Sequence, residues 1–148
     1  MGGYGLVATV KKNDRRLILV LNGLNSSKDR AKEAERLIKI GLNQYENIII
    51  ANANTSLKTL NVWGGDKKNV EVFSKEEISI TVPKRIKKKI SFFIKYQSPI
   101  LPPISSDEPI GEFLIKKNKE ILKKYDLFTN QSVGKMNFFQ KIAHNFKY

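Results

Sequence analysis

The first 45 residues contain two apolar runs followed by an amphipathic segment, an order that predicts a hairpin and a helix. The runs Gly5–Lys11 and Arg16–Asn22 flank Asn13 and Asp14, residue types that favour a tight turn between antiparallel strands. The second run carries five consecutive aliphatic residues, a pattern typical of a strand that is buried on both faces. We therefore expect a β-hairpin whose second strand is covered on both sides.

A helix is predicted from about Lys28 to Gln44. Ser26 or Ser27 can cap its first turn, because a serine hydroxyl accepts a hydrogen bond from a free backbone N–H group there. The apolar residues on one face are Ala31, Ala34, Leu37, Ile38 and Leu42. A two-stranded hairpin with one helix is marginally stable alone, so further strands should complete this sheet.

Short β-branched and aromatic runs, separated by glycine and proline, fill the chain after residue 50. The predicted strands are Thr59–Trp63, Val70–Phe73, Ile78–Val82, Ile90–Tyr96, Gly111–Lys116 and Ile121–Asp126. Strands at this interval are typical of a small antiparallel β-sandwich. Trp63, the chain's single tryptophan, is interpreted as a core anchor beside the Gly64–Gly65 turn, with stacking on a ligand as the alternative.

The order of several segments resembles one enzyme family. The segments are Gly3–Ala8, Arg16–Ile18, Arg30 with Glu33, Val62–Gly65, Ile80–Lys84, Pro102–Ile104, Ile110–Glu112 and Phe138–Ile142. In this order they resemble the low-molecular-weight penicillin-binding proteins, the serine-type D-alanyl-D-alanine carboxypeptidases that act on peptidoglycan. The resemblance implies an α+β chain: residues 1–50 end a transpeptidase-like α/β domain, residues 51–133 form a small β-rich domain, and residues 134–148 form an amphipathic helix.

The motifs that this chemistry requires are incomplete in the sequence. The family's serine acyl-transfer site uses Ser-x-x-Lys, Ser-x-Asn and Lys-Thr-Gly motifs. No Ser-x-Asn occurs, and Lys58–Leu60 lacks the glycine of Lys-Thr-Gly. Ser132–Lys135 matches Ser-x-x-Lys, but its place in a polar loop near the C-terminus favours coincidence. We therefore assign no catalytic residue and expect an inactive fragment, with a split enzyme completed by a neighbouring reading frame as an open alternative.

The resemblance also implies a role for Arg30. In the family, the arginine at the start of this helix helps to hold the terminal carboxylate of the D-alanyl-D-alanine peptide, a task that suits a guanidinium because its donors match a carboxylate in pairs. The alternative interpretation is a surface ion pair with Glu33, three residues further along the helix. The peptidoglycan stem peptide is thus expected as a partner only if the missing part complements this chain.

Positive charge is concentrated downstream of the helix. The chain has 27 basic and 14 acidic residues, a net charge of +13, and its densest clusters are Lys84–Lys89 and Lys116–Lys124. Such clusters attract anionic membrane surfaces and other polyanions, although a solvated lysine-rich surface is an equal alternative. We expect no nucleic-acid partner, since stacking aromatic residues in a recognised motif are lacking. The absence of cysteine and the single histidine predict neither a metal site nor a cofactor.

The C-terminal residues 134–148 predict a helix that lies in a membrane interface. The apolar side chains assigned to that interface are Met136, Phe138, Phe139, Ile142 and Phe146, with lysines opposite and His144 beside them. Docking of this helix on the protein's own core is the alternative. The resemblance implies the periplasmic face of the cytoplasmic membrane, whereas the N-terminus lacks the pattern of a signal peptide, so a cytoplasmic location stays open.

Overall fold

A computed structural model of the chain describes residues 2–13 and 15–137. The described elements are β1 (Tyr4–Lys12), β2 (Arg15–Leu24), α1 (Ser27–Gln44), β3 (Tyr45–Ala51), β4 (Lys58–Asn61), β5 (Asn69–Phe73), β6 (Ile78–Pro83), a 3₁₀ helix (Lys84–Lys89), β7 (Ile90–Tyr96), β8 (Gly111–Lys117) and β9 (Glu120–Thr129). The chain divides into two compact units. Unit 1 comprises the residues up to Ile48 together with Ile80–Lys88, and unit 2 comprises Ile49–Ser79 and the residues from Lys89 onward.

In unit 1, β1 and β2 form an antiparallel hairpin against which α1 packs. Residues on the inner face of the hairpin alternate with exposed ones along both strands, as the two-residue period of a strand requires. Leu17 on this inner face approaches α1 closely, because a Cβ atom added at Gly41 would lie 2.8 Å from the Leu17 Cδ2 atom. Glycine at position 41 therefore lets the helix and the strand meet.

Both ends of α1 are closed by hydrogen bonds to side chains. The Ser26 hydroxyl accepts a bond from the Asp29 backbone N–H at 3.0 Å, so the first of the two predicted caps is the one used. The Arg15 guanidinium donates to the carbonyl oxygens of Gly41 and Tyr45. The first residue of β2 thus satisfies carbonyl groups at the C-terminal end of the helix that have no partner within it.

In unit 2, five strands form one antiparallel sheet in the order β4-β5-β9-β8-β7. The side chains that are fully buried or nearly so include Val70, Val72, Ile78, Ile115, Leu127 and Val133. The Tyr125 hydroxyl, on β9, accepts a bond from the Ser79 N–H at 2.9 Å and donates to the Ser79 carbonyl at 2.6 Å. β3 and β6, each of which contains residues assigned to both units, pair separately as a two-stranded ribbon.

The six predicted downstream strands are observed, with ends that differ by at most a few residues, and the mostly β character of this part of the chain is confirmed. Two observed elements were not predicted from the sequence: Tyr45–Ala51 forms β3, which runs across the expected division after residue 50, and the basic cluster Lys84–Lys89 forms a 3₁₀ helix. The described pairings give a single five-stranded sheet and a ribbon. Packing of two complete sheets as a sandwich stays a prediction.

Candidate functional site

The outer face of the β1–β2 hairpin is aliphatic and open to solvent. Val7 is paired with Val20, and Ile18 lies two residues from Val20 on the same face. The exposed fractions are 74% for Val7, 67% for Ile18 and 68% for Val20. In the described part of the chain β1 pairs only with β2, so its other edge has no strand partner. The prediction that β2 is buried on both faces is therefore wrong for the chain as described, because no described element covers this side.

Arg30 lies in the first turn of α1, next to the start of β1. Its guanidinium donates to the Ser27 hydroxyl at 3.1 Å, and its Cζ atom lies 6.0 Å from the centre of the Tyr4 ring. The expected ion pair of Arg30 with Glu33 is not formed. Glu33 instead binds Arg36, with 2.5 Å between Oε1 and the guanidinium nitrogen, and this contact lowers the pKa of the Glu33 carboxyl. The assignment of Arg30 to a substrate carboxylate stays a prediction.

The partial motif matches lie far from any arrangement for acyl transfer. Ser132 and Lys135 belong to an extended segment, in which Val133 and Lys135 form isolated bridges, rather than to a helix. The Ser132 hydroxyl is 3.2 Å from the Ser106 hydroxyl and accepts a bond from the Ser106 N–H at 3.1 Å. In a strand-like backbone, side chains three residues apart point to opposite faces, so Lys135 is badly placed to accept a proton from Ser132.

The two basic clusters differ in how their charges are used. In the first, the Lys87 ammonium lies 3.2 Å from a Glu46 carboxylate oxygen, while the other four cations of Lys84–Lys89 make no ion pair with the described residues. In the second cluster, Lys116 lies over the Phe93 ring and Lys124 pairs with Glu112 at 3.2 Å. The 3₁₀ helix is therefore the better candidate for an anion-binding surface.

The C-terminal predictions fall mostly outside the described residues. Phe138, Phe139, Ile142 and Phe146, with His144, all lie there. Met136 is described, but residues 134–137 are extended rather than helical, because hydrogen bonds with Gly64 and Asp66 hold the backbone. The helix therefore cannot begin at residue 134 as expected. Among residues 2–13 and 15–137, no helix is both long and apolar enough to cross a membrane.

Trp63 occupies a different environment from the one expected. It is 74% exposed, so its interpretation as a core anchor is wrong. Its backbone N–H donates to the Ile100 carbonyl at 2.9 Å, and the neighbouring Gly65, rather than the tryptophan, is buried. Sequence reasoning missed this exposure because tryptophan is highly buried on average in folded proteins.

Comparison with known protein families identifies the second half of the fold. Residues 45–135 match the family model described as "Penicillin-binding protein 5, C-terminal domain". The chain belongs to this family. The resemblance found from the sequence segments is thereby confirmed.

Family relatives carry the same enzyme name. The chain is 28% identical over 148 residues to D-alanyl-D-alanine carboxypeptidase DacD of Escherichia coli. This match covers 97% of this chain and 37% of that protein. It is 27% identical over 140 residues to D-alanyl-D-alanine carboxypeptidase DacF of Bacillus subtilis, covering 91% of this chain and 35% of that protein. The chain thus spans little more than a third of the length of these relatives.

Solved structures in the family have the same fold. Penicillin-binding protein 5 from Haemophilus influenzae superposes with a TM-score of 0.79 at 24% identity, covering 90% of this chain and 39% of the other. The D-alanyl-D-alanine carboxypeptidase DacD from Francisella tularensis gives a TM-score of 0.70 at 26% identity, covering 91% and 34%. Both matches extend well beyond residues 45–135, so the likeness includes part of unit 1.

Proposed function

We propose that this chain is the C-terminal part of a serine-type D-alanyl-D-alanine carboxypeptidase that functions in peptidoglycan maturation. Alone it has no acyl-transfer activity, because its sequence lacks Ser-x-Asn and Lys-Thr-Gly and the one Ser-x-x-Lys match lies on an extended segment. Activity requires the remaining part of the catalytic domain, which must come from a separate polypeptide or from additional sequence. The stem peptide is its substrate only in that complemented state, with Arg30 as a candidate ligand of the terminal carboxylate.

The open outer face of the hairpin is the observation that carries this proposal. Three aliphatic side chains, each about two-thirds exposed or more, stand on one face of a two-stranded sheet whose other face is packed on a helix. Sheets in folded domains bury their apolar face against another layer, so a cluster of exposed aliphatic residues on one sheet face is unusual. A larger catalytic domain that continues this sheet and covers its outer face would bury Val7, Ile18 and Val20.

Fluorescent penicillin tests the predicted inactivity. We expect no covalent labelling of the purified chain under conditions that label an intact carboxypeptidase of the family. Labelling that survives denaturation and disappears in Ser132→Ala would contradict the proposal, because it would establish an acyl-enzyme on the one candidate serine. Labelling that appears only after addition of a polypeptide carrying the missing motifs would support complementation.

A second candidate function is a non-catalytic module that binds a membrane or another envelope component. It is favoured by four cations of the 3₁₀ helix that make no ion pair with the described residues, and by the apolar and basic sequence of residues 138–148. Each lysine near an anionic lipid surface contributes about 1 kcal/mol to binding. Such a role places the chain at the outer face of the cytoplasmic membrane, where its relatives' substrate is found.

Liposome flotation distinguishes this candidate from an inert fragment. The full chain should float with vesicles that contain anionic lipid, and a chain ending at Asn137 should float less. The charge-neutralised variant Lys84→Gln/Arg85→Gln/Lys88→Gln separates the contribution of the 3₁₀ helix from that of residues 138–148. Equal flotation of all three forms would refute the assignment of binding to either segment.

A further inference from the structure

Three loops of unit 2 meet at one end of the five-stranded sheet. They are residues 62–68 between β4 and β5, residues 97–110 between β7 and β8, and residues 130–137 after β9. Backbone bonds join all three. The Trp63 N–H donates to the Ile100 carbonyl at 2.9 Å, the Ile104 and Val133 backbones bond at 2.8 and 3.0 Å, and the Met136 N–H donates to the Gly64 carbonyl at 3.1 Å. We call this the loop apex.

The loop apex is held rigidly by close packing beneath it. Gly65 is buried, and an added Cβ atom there would lie 2.7 Å from the Val133 side chain and 3.0 Å from the Lys67 carbonyl oxygen. The Gly134 N–H donates to an Asp66 carboxylate oxygen at 3.0 Å, and the Asp66 N–H returns a bond to the Gly134 carbonyl at 2.9 Å. The backbone that carries Trp63 is therefore fixed by contacts to two other segments.

Two large apolar side chains project from this fixed backbone into solvent. Trp63 is 74% exposed and Leu101, next to the Trp63 partner Ile100, is 57% exposed. A tryptophan that stays exposed contributes none of the hydrophobic free energy that burial of its large ring would supply. An exposed tryptophan on a rigid apex is a feature that contact with another apolar phase would explain.

The last described residues, 134–137, lie at this same apex. The Met136 N–H donates a hydrogen bond to the carbonyl oxygen of Gly64, the residue that follows Trp63. The sequence continues with residues 138–148, which include four aromatic residues, two lysines and no acidic residue. In the described loops, Lys67, Lys68 and Lys135 are balanced by Asp66, Asp107 and Glu108. Apolar contact, rather than charge, is therefore what the loop apex itself offers, and the net positive charge comes from the segment that follows.

We propose that the loop apex inserts Trp63 and Leu101 into the interfacial layer of a phospholipid bilayer. The proposal rests on the membrane-binding candidate above and assigns the side chains that orient unit 2 on the bilayer. Tryptophan suits this layer because its ring is apolar and its indole N–H can bond to headgroups or water. Lysine side chains beside it can extend towards the phosphates while their methylene groups remain in apolar surroundings.

The single tryptophan makes the test direct, because all indole fluorescence of the full chain comes from position 63. Vesicles of phosphatidylcholine and phosphatidylglycerol should shift its emission to shorter wavelength and reduce quenching by acrylamide at least about twofold, as expected for an indole that enters the interface. Lipids brominated near the headgroup should quench it more strongly than lipids brominated near the chain end.

A pair of matched substitutions connects this signal to binding. Leu101→Asp should weaken vesicle binding several-fold without changing the melting temperature. Ile121→Asp is the control, because Ile121 is 53% exposed on β9 near the β8–β9 turn, at the opposite end of the sheet from the loop apex. Equal weakening by both variants would overturn the proposal, since the effect would then be one of added negative charge.

The remaining outcomes separate this inference from the one it rests on. If the full chain floats with vesicles while Trp63 emission and quenching stay unchanged, the inference is overturned and membrane binding stands. If the chain does not float, both fail. If Trp63 is already protected from acrylamide without lipid, or becomes protected only with purified peptidoglycan, the proposed occupant is wrong, because residues 138–148 or a glycan polymer covers the ring instead.

Discussion

Adjacent residues of β2 offer a matched pair that tests whether the hairpin's outer face is open. Ile18 points outwards and is 67% exposed, whereas Leu17 points inwards against Gly41 of α1. Ile18→Lys in the purified chain should change the free energy of unfolding by less than about 0.5 kcal/mol, since substitutions on an open surface have small effects. Leu17→Lys should cost roughly 2 kcal/mol or more, because it removes a partly buried leucine side chain and places a charge against the helix.

The same face gives a measure of what a covering domain would contribute. Complete burial of a valine or isoleucine side chain stabilises a fold or complex by about 1.5–3 kcal/mol. Burial of the two-thirds of the Ile18 side chain that is now exposed would therefore contribute about 1–2 kcal/mol to association. Val7 and Val20 are exposed to a similar degree, which brings the total to roughly 3–6 kcal/mol. Ile18→Lys should therefore weaken association with a complementing catalytic part far more than it changes the stability of the free chain.

Urea unfolding followed by far-ultraviolet circular dichroism is the appropriate assay, because α1, the α-helix of the described residues, belongs to unit 1 with the hairpin. Sedimentation at the same concentration controls for self-association. If Ile18→Lys destabilises a monomeric chain as much as Leu17→Lys does, the outer face is already covered in the free protein. The reasoning that requires a missing layer would then be refuted.

Two further predictions concern the stability of the units. Tyr125→Phe removes both hydrogen bonds to the Ser79 backbone and should lower the free energy of unfolding of unit 2 by about 1–3 kcal/mol in urea. Tyr96→Phe is the control, because the Tyr96 hydroxyl makes no hydrogen bond with described residues, and it should change this free energy by less than about 0.5 kcal/mol. Similar losses in the two variants would mean that ring packing, not the hydroxyl, is decisive. Hydrogen bonds from Arg36 and Lys39 lower the pKa values of the Glu33 and Glu35 carboxyls, respectively, below their ordinary range. The contribution of these carboxylates to stability is therefore present at neutral pH and is lost as the pH falls through the lowered pKa values. The thermal midpoint of the helix signal should therefore fall as pH drops from about 5 to about 3, and Glu33→Gln/Glu35→Gln should reduce that fall; an unchanged profile would count against these ion pairs.

Local pattern was sufficient where one physical preference dominated. Ile90–Tyr96 was predicted with its observed ends because β-branched and aromatic residues fit a half-buried strand and polar or proline-containing segments bound it. The Ser26 cap followed from the same kind of local chemistry. Ile48–Ile50 carries an equally clear strand signal, but it lies at the expected division after residue 50, and β3 was not predicted there.

The failures depend on contacts between residues distant in sequence. Glu33 can reach a basic residue three positions away on either side, and spacing alone cannot choose between Arg30 and Arg36. Trp63 was assigned to the core because its exposure depends on bonds to Ile100 and on the buried Gly65, which no local pattern reveals. The bonds that hold Gly134 and Met136 in an extended backbone likewise involve residues about 70 positions earlier.

Hydrogen exchange on the purified chain tests the central claim most directly. If the hairpin requires a layer that this polypeptide does not supply, amides of β1 and β2 should exchange through local opening and be much less protected than those of β8 and β9, which lie inside the five-stranded sheet. Addition of a polypeptide that carries the missing catalytic part should then raise protection in the hairpin. Protection of β1 and β2 equal to that of β8 and β9 in the isolated monomer would contradict the account.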